Sequence, residues 1–389
     1  MRRRNNIYVM IMILLAVSIG IGYSYLQTSL TVVGNITVRK YDPTRYLYKE
    51  IIKQNKENGA MVLDNQASTY VSASTGIDFN AISSTTNGQG VYVRNGTEND
   101  TYPIYYYRGA VTNNNVIFAG FCWNIVRTTE TGGIKLIYNG TPTNGTCNNT
   151  GEKSLIGRGI FSSYHYDIDL LGYMFNNQND DSLAKQMIDN WYSQNMTSYT
   201  SYLEDAVWCN DRTSSHINSH FPYYTFYGAY SRGLVDYFYD GDEEIKTNPS
   251  LECTNQNDRF TVYETMEGRE NGNAALTYPV ALLTADEVVF SGYSSDNGSI
   301  NGYSNSYLNI DDVWWTLSPK VFDTGDHYMG LFFMTIYNGS LFSTSVADHS
   351  SDSSPLNVGM RPSISLKYGT KLAENGDGSA NSPFVVQYN

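Results

Sequence analysis

Charged side chains are scarce in this 389-residue sequence, and the charge that is present has mostly one sign. Asp, Glu, Lys and Arg make up 16% of the chain, with 38 acidic residues against 25 basic ones and a net charge of −13. A surface this acidic repels phosphate backbones, and beyond the arginines at residues 2–4 no basic stripe offsets it. We therefore expect no nucleic acid among its partners.

Histidine is also rare, and it occurs without the sequence motifs of hydrolases. No GxSxG nucleophile elbow and no HExxH zinc motif is present. Cys209 is followed by two histidines four residues apart, so a zinc site is an alternative to disulfide bonding there, although a second cysteine is lacking nearby. We predict no catalytic role for the five histidines, which are His165, His216, His220, His327 and His349.

Tyrosine is abundant instead. The chain holds 34 tyrosines, and Asn, Ser, Thr and Gly dominate its polar positions. Side chains of these types make adaptable contacts at low ordering cost, as in antibody loops. The composition therefore favours a binding surface, and an AT-rich genome, whose codons favour Asn, Tyr and Ile, is the alternative explanation.

The sequence begins with a cationic segment followed by an apolar run over residues 7–26. Twenty helical residues rise about 30 Å, which matches the hydrocarbon thickness of a bilayer. The charge before the run predicts a cytoplasmic N-terminus at residues 1–6, a transmembrane anchor at 7–26 and a cell-membrane location with the bulk of the chain outside. A cleaved signal peptide, with its cleavage site near Gly20, Gly22 and Ser24, is the alternative and also exports the chain.

Export determines the expected chemistry of the cysteines, because disulfides persist in an oxidising compartment. The spacing suggests the pairs Cys122–Cys147 and Cys209–Cys253, among the three pairings that four cysteines allow. Each bridge of this loop length contributes about 3 kcal/mol in the chain-entropy model. We therefore predict two structural disulfides.

Hydrophobic patterning divides the exported part into a stalk and a domain. A stalk strand and helix are expected over residues 27–60, with the helix capped by Asp42 and ended by Gly59. The rest, residues 61–389, is expected to be one extracellular domain. It combines β-rich runs with helices that begin after Ser182 and Thr284, which predicts an α+β fold with mostly antiparallel sheet.

Several runs resemble those of exported, membrane-anchored surface proteins of Firmicutes and Mollicutes, namely "YYYRGAV", "WCNDR", "YPVALLTADEVVFSG", "WWTLSP" and "VGMRPSISL". The last two also resemble the end of C-type-lectin-like folds, as in formylglycine-generating enzymes and the variable proteins of diversity-generating retroelements. The resemblance implies that the extracellular domain is C-type-lectin-like, with its binding face on the loops between these two runs.

Two departures limit what this resemblance implies. Formylglycine-generating enzymes use a reactive cysteine pair late in the domain, whereas this chain has no cysteine after Cys253, so their oxidase activity does not carry over. The EPN or QPD and WND tripeptides of lectin calcium sites are also missing. A loose calcium site in the acidic loop with Asp240, Asp242 and Glu244 stays open as the one cofactor to consider.

Two adjacent tryptophans precede the "SP" turn, where lectin-like folds bury one tryptophan in the core. Since neighbours on a strand point to opposite faces, we predict Trp315 as the core residue and Trp314 as the exposed ring of the binding face. The predicted ligand-binding residues are Trp314, Asp323, His327, Tyr328, Tyr337, Asn338, Asp348 and Asp352.

Three charged residues are predicted to act as structural clamps. Asp211 and Arg212 lie next to a predicted disulfide, and we expect them to pair with each other and to anchor their loop. Arg361 is expected to be half-buried and held by a carboxylate. Its neighbour Pro362 belongs at a strand edge or a bulge, because proline cannot donate to a sheet.

These features favour a cell-surface binding or adhesion protein that recognises a glycan, or a host or cell-envelope ligand, through an aromatic, Asn- and Asp-rich loop face. Two alternatives remain: an extracellular hydrolase that cleaves a cell-wall or glycan bond with two carboxylates, and a structural envelope component. The expected partners are the membrane, through the N-terminal helix, and the extracellular ligand.

Overall fold

Most of the predicted β-rich runs lie in two sheets. The computed structural model describes residues 45–57, 79, 89–94, 102–162, 181–214, 224–234, 239–240, 243–244, 247–266, 268–293, 306–323, 328–334, 341–345, 358–373 and 376–388. All of them belong to one unit, Pro43–Asn389. The helices are α1 (Leu47–Glu57), α2 (Leu183–Asn195), α3 (Gly228–Ser231) and α4 (Ala285–Phe290), with 3-10 turns at Gly151–Ser154, Thr197–Tyr202 and Gln256–Asp258.

The strands are short, as expected for runs separated by Gly, Asn and Ser clusters. They are β1 (Gly90–Arg94), β2 (Ile104–Arg108), β3 (Asn115–Phe118), β4 (Phe121–Thr128), β5 (Ile134–Tyr138), β6 (Gly157–Gly159), β7 (Trp208–Cys209), β8 (Tyr224–Phe226), β9 (Tyr239–Asp240), β10 (Glu243–Glu244), β11 (Arg259–Phe260), β12 (Thr265–Met266), β13 (Arg269–Glu270), β14 (Val280–Ala281), β15 (Trp314–Asp323), β16 (Tyr328–Met334), β17 (Leu341–Ser345), β18 (Val358–Met360), β19 (Ser363–Leu366) and β20 (Phe384–Val385).

The large sheet has the strand order β1-β2-β4-β5-β19-β14, and β3 extends it by pairing with both β4 and β20. The second sheet has the order β17-β16-β15-β18-β6, and β8 also pairs with β15. The pairs β3–β20 and β15–β18 are parallel, and the other pairs of these sheets are antiparallel. The predicted α+β class with mostly antiparallel sheet is confirmed.

The large sheet is covered on both faces. Every residue of β2 and of β5 is buried, which requires packing on either side of the sheet. One face packs against α1 and α2 and forms a first core with Ile125 and Leu136. The other face packs against α4 and forms a second core with Val126 and Ile137.

The helix expected in the stalk is the first element of this domain. Leu47 and Ile51 of α1 are fully buried in the first core, one turn apart on the same helix face. The two other predicted helices form after their predicted caps. The Ser182 hydroxyl accepts a hydrogen bond from the Lys185 amide, and Thr284 forms a capping box with Glu287.

No helix in the described part of the chain is long and apolar enough to cross a bilayer. The predicted anchor at residues 7–26 and the predicted stalk strand lie outside the described residues.

Trp314 is buried, contrary to the sequence prediction, whereas the burial predicted for Trp315 is observed. Both side chains have no exposed surface. Strand alternation does point the two rings to opposite faces, but each face meets a core: Trp315 packs in the first core and Trp314 in the second. The prediction failed because it assumed that only one face of the strand is covered.

Arg361 is fully buried, and the contacts seen on its guanidinium are not with a carboxylate. Its guanidinium donates to the carbonyl oxygens of Tyr138 (3.1 Å) and Leu308 (2.9 Å) and lies 5.0 Å above the Trp314 ring. Burial lowers the pKa of Arg361 to about 10, so it remains a cation at neutral pH. The clamp role is kept, but backbone oxygens and an aromatic face replace the predicted carboxylate.

Arg361 and Pro362 carry the chain from one sheet to the other. Met360 ends β18 in the second sheet, and Ser363 begins β19 in the large sheet. A proline fits between the two strands because no ladder hydrogen bond is needed from its nitrogen, while its carbonyl accepts from the Tyr138 amide at 2.8 Å.

Replacing Trp314 with alanine should reduce the free energy of unfolding by about 3–5 kcal/mol, since it empties a buried site and removes the ring above Arg361. Urea unfolding followed by circular dichroism measures this change. Tyr263→Ala is the matched control: Tyr263 is 62% exposed, so its loss should change stability by less than about 0.5 kcal/mol. If both variants were equally stable, Trp314 would not be a buried residue of the core.

Candidate functional site

A groove lined largely by polar and aromatic side chains lies where β19 ends, and we call it the tyrosine groove. Its volume is about 380 Å³, within the roughly 300–1,000 Å³ range of small-ligand sites. Its lining residues are Ser201, Tyr202, Lys367, Tyr368, Gly369, Thr370, Lys371 and Gln387.

One wall of the groove is the 3-10 turn Thr197–Tyr202. This turn follows α2 directly, because Met196 serves as the last cap of the helix and as the first cap of the turn. A 3-10 turn is common where an α-helix ends, since its tighter bonds satisfy the last carbonyl groups. The packed helix α2 therefore fixes the position of this wall.

The other wall is a β-turn that ends β19. The Thr370 amide and hydroxyl both donate to the Lys367 carbonyl, at 3.2 and 2.7 Å. Gly369 has φ +82°, which a type II turn requires at its third position and which glycine adopts without strain. Tyr368 occupies the second position of this turn, and its side chain is 54% exposed.

Lys367 joins the two walls. Its amide donates to the Tyr202 carbonyl at 3.0 Å, and its ammonium donates to the Ser201 carbonyl at 2.9 Å. The next residues continue the contact, since Leu203 bridges to Leu366. Hydrogen bonds between the two walls therefore close the groove along one side and fix the distance between them.

Aromatic rings support both walls. Tyr368 packs on Tyr102 and Tyr48, with ring centroids 4.9 and 5.5 Å away. Tyr202 meets Tyr388 edge-on at 5.4 Å. Such contacts contribute about 0.5–1.5 kcal/mol each beyond area burial, so they fix ring orientation at an exposed site.

A buried carboxyl group lies behind the groove. Glu204 follows Tyr202 by two residues, and its amide donates to the Ser365 carbonyl at 2.9 Å. Burial, with a smaller contribution from Glu130, raises the pKa of Glu204 to about 7. Gly133 leaves space for this carboxyl, because a Cβ there would lie 1.8 Å from its Oε2.

A second, much smaller cavity lies beside the Cys209–Cys253 disulfide. Its volume is about 20 Å³, which holds one or two waters but no sugar ring. Arg127, Arg232, Asp286 and Glu287 are among its lining residues. These four side chains already form ion pairs within the protein, Arg127 with Glu287 and Arg232 with Asp286.

Glu287 is the centre of the charges near this cavity. Its Oε1 lies 2.8 Å from Arg127 Nε and 2.9 Å from Lys135 Nζ. Burial favours a higher pKa for Glu287, but Lys135 and Arg127 outweigh it and lower the pKa to about 2. Burial, and next the charge of Arg127, lower the pKa of Lys135 to about 8. At neutral pH we assign charges to all three groups, because each cation faces the carboxylate.

A β-bulge brings Arg127 and Lys135 together. Ile125 pairs with Leu136 but Arg127 pairs with Lys135, so Val126 is the extra residue. The bulge turns Arg127 to the face of the sheet that carries Lys135 and meets α4. Without this shift, strand alternation would direct Arg127 to the opposite core.

Both predicted disulfides are present, Cys122–Cys147 and Cys209–Cys253, each with Cα atoms 5.6 Å apart. No group of residues suited to hold a metal ion occurs in the parts of the chain that the structure describes. His216 and His220 of the zinc alternative lie outside those parts, as do the side chains of Asp240, Asp242 and Glu244.

Asp211 and Arg212 do not pair with each other, contrary to the prediction. Asp211 binds Arg232, which also binds Asp286, while Arg212 Nε lies 2.7 Å from Asp258 Oδ1. Sequence neighbours in extended backbone point apart, so each found a partner elsewhere in the chain. Their loop is anchored as predicted, but by two ion pairs in place of one.

Most of the predicted ligand-binding side chains are outside the part of the chain that the structure describes. His327, Tyr337, Asn338, Asp348 and Asp352 lie outside the described residues. Asp323 ends β15 and Tyr328 begins β16, but their side chains are likewise outside the description. Trp314 is buried, so it is removed from the predicted binding face.

Sequence reasoning missed the tyrosine groove, although one signal for it was present. The run "KYGTK" follows a strand and places a tyrosine between two lysines in a glycine turn. Such a turn predicts an exposed tyrosine. It does not predict that Ser201 and Tyr202, more than 160 residues earlier in the chain, face it.

No protein-family model, no curated protein and no solved structure matches this chain.

Glu204 should make stability fall as the pH rises. Between its ordinary pKa of 4.5 and about 7, the folded state holds a proton that the unfolded state has released. The free energy of unfolding should therefore decrease across this window, by about 3 kcal/mol in total. Glu204→Gln cannot titrate, so it should flatten this slope and be more stable than the parent protein above pH 7.

Urea unfolding of both proteins at pH 5 and pH 8 measures this difference. Glu264→Gln is the matched control, because Glu264 is exposed and should keep the parental slope. A parental slope in Glu204→Gln would contradict the assignment.

Proposed function

We propose that this protein is a cell-surface binding protein that recognises a glycan in the tyrosine groove. The observation that carries the proposal is the pairing of an exposed ring, Tyr368, with hydrogen-bonding groups from Ser201, Thr370 and Gln387 around one space of about 380 Å³. Saccharides combine apolar ring faces with hydroxyl groups, and such a lining serves both.

The rigidity of the groove supports this proposal. Lys367 joins the walls through its backbone and its side chain, and Tyr368 is braced by Tyr102 and Tyr48. A site that is ordered before binding loses less entropy when a ligand arrives. This matters for sugars, which offer little apolar area to offset that loss.

Export and membrane anchoring are part of the proposal. The two disulfides fit an oxidising compartment, and the cationic start with the apolar run over residues 7–26 fits an anchor whose C-terminal side is outside. The C-type-lectin-like architecture is proposed only from the resemblance of "WWTLSP" and "VGMRPSISL".

The hydrolase alternative has less support among the described residues. Four residues with carboxyl groups border the small cavity, namely Glu130, Glu252, Asp286 and Glu287. Asp286 is bound by Arg232, and Glu287 by Arg127 and Lys135. The cavity of about 20 Å³ also excludes a sugar ring. Binding therefore accounts for more of the observed geometry than hydrolysis does.

Screening the exported protein on a glycan array tests the proposal. Tyr368→Ala should weaken binding to the retained glycans about tenfold, since it removes the exposed stacking face. Tyr368→Phe keeps that face and should bind nearly as well. Tyr263→Ala removes an equally exposed ring outside the groove and should leave affinity unchanged.

Melting temperatures of the variants establish that the fold is intact. An array without any retained glycan, or equal affinities of Tyr368→Ala and the parent protein, would reject a glycan in this groove. If the protein bound a host protein and no glycan, the ligand would be a protein and the glycan proposal would be rejected.

A further inference from the structure

The tyrosine groove has a charge opposite to that of the protein. Of the eight residues that line it in the described part of the chain, two are lysines and none is acidic. The whole chain has 38 acidic and 25 basic residues, with a net charge of −13. The groove is therefore cationic although the protein as a whole is acidic.

Lys367 places one positive charge at a defined position. One of its ammonium protons is donated to the Ser201 carbonyl at 2.9 Å, which fixes the nitrogen against the wall. An ammonium group has three donors, so two remain for a ligand. The side chain is exposed, so these donors face the groove and solvent.

Lys371 places the second charge on the same wall of the groove. Its backbone is held by a bridge to Tyr46 and by the Gln387 amide, which donates to the Lys371 carbonyl at 2.9 Å. The residue is exposed, and it lies four positions from Lys367 across the β-turn. Two lysines therefore line the groove, one before and one after Tyr368 in the sequence.

We propose that the groove selects anionic saccharides, in which a carboxylate or sulfate group on the sugar binds Lys367 and Lys371 while a ring face stacks on Tyr368. This inference rests on the proposed function, since it names the class of glycan for the same groove. The net negative charge of the rest of the protein repels such ligands, so charge directs them to this cationic groove.

The affinity gain from each lysine should be modest. Pairs between exposed charges contribute about 0.2–1 kcal/mol and weaken with salt, because water and ions screen them. We therefore expect each lysine to raise affinity about 1.4- to fivefold at low ionic strength.

Two matched pairs of probes test the charge dependence by isothermal titration calorimetry. A short oligogalacturonide is compared with its methyl ester, which has the same backbone without the carboxylate charge. A short dextran sulfate is compared with dextran, which distinguishes sulfate from carboxylate as the recognised group. We expect the charged member of at least one pair to bind more tightly, with affinity falling as salt rises.

Variants assign this preference to the groove. Lys371→Gln should lose about 1.4- to fivefold in affinity for the charged probe, and Lys371→Arg should retain the parental affinity. Lys153→Gln is the matched control, because Lys153 is exposed and does not line the groove. Lys371 is the test residue because Lys367 also joins the walls.

Two failures can be told apart. Equal binding of charged and neutral probes, still dependent on Tyr368, would overturn the anionic preference and leave the proposed function standing. Absence of binding to every probe and every array glycan would overturn both. If Lys153→Gln lost as much affinity as Lys371→Gln, the inference would also be overturned. The effect would then come from the net charge of the protein and not from lysines in the groove.

Discussion

The ion pairs of the buried Glu287 carboxylate hold helix α4 on the large sheet. The carboxylate caps α4, and it binds Arg127 of β4 and Lys135 of β5, so one helix is fastened to the centre of the large sheet. Lys135 also donates to the Val207 carbonyl at 3.1 Å. Removing the carboxylate would leave two buried cations uncompensated, which typically costs about 3–5 kcal/mol.

The hydrogen bond from Lys135 to the Val207 carbonyl connects the buried ion pairs to the surface. Val207 belongs to the segment that runs past β19 from the wall of the tyrosine groove, and Glu204 and Leu203 attach the same segment to β19. The groove wall is therefore held at one end by α2 and at the other by the buried ion cluster. A binding surface built from loop residues obtains its rigidity from elements that lie beneath it.

The two-faced packing of the large sheet explains why so many polar and aromatic residues are buried. Covering both faces leaves little of the sheet for solvent, so its solvent-facing residues lie mainly at the ends of strands, where turns project. The tyrosine groove lies at such an end, after β19. Its two lysines and its tyrosine are exposed, so the groove can differ in charge from the acidic chain as a whole without any cost to the core.

Features that depend on near neighbours could be predicted from the sequence: the capped helices after Ser182 and Thr284, the β-rich runs, and two disulfides whose partners are closest in the chain. Three other features follow from packing in three dimensions: the burial of Trp314, the separate partners of Asp211 and Arg212, and the contact of Tyr202 with Lys367. These depend on which faces are covered and on contacts between distant residues. Local patterns specify elements and their periodicity, whereas they carry no information about what packs on the second face of a strand.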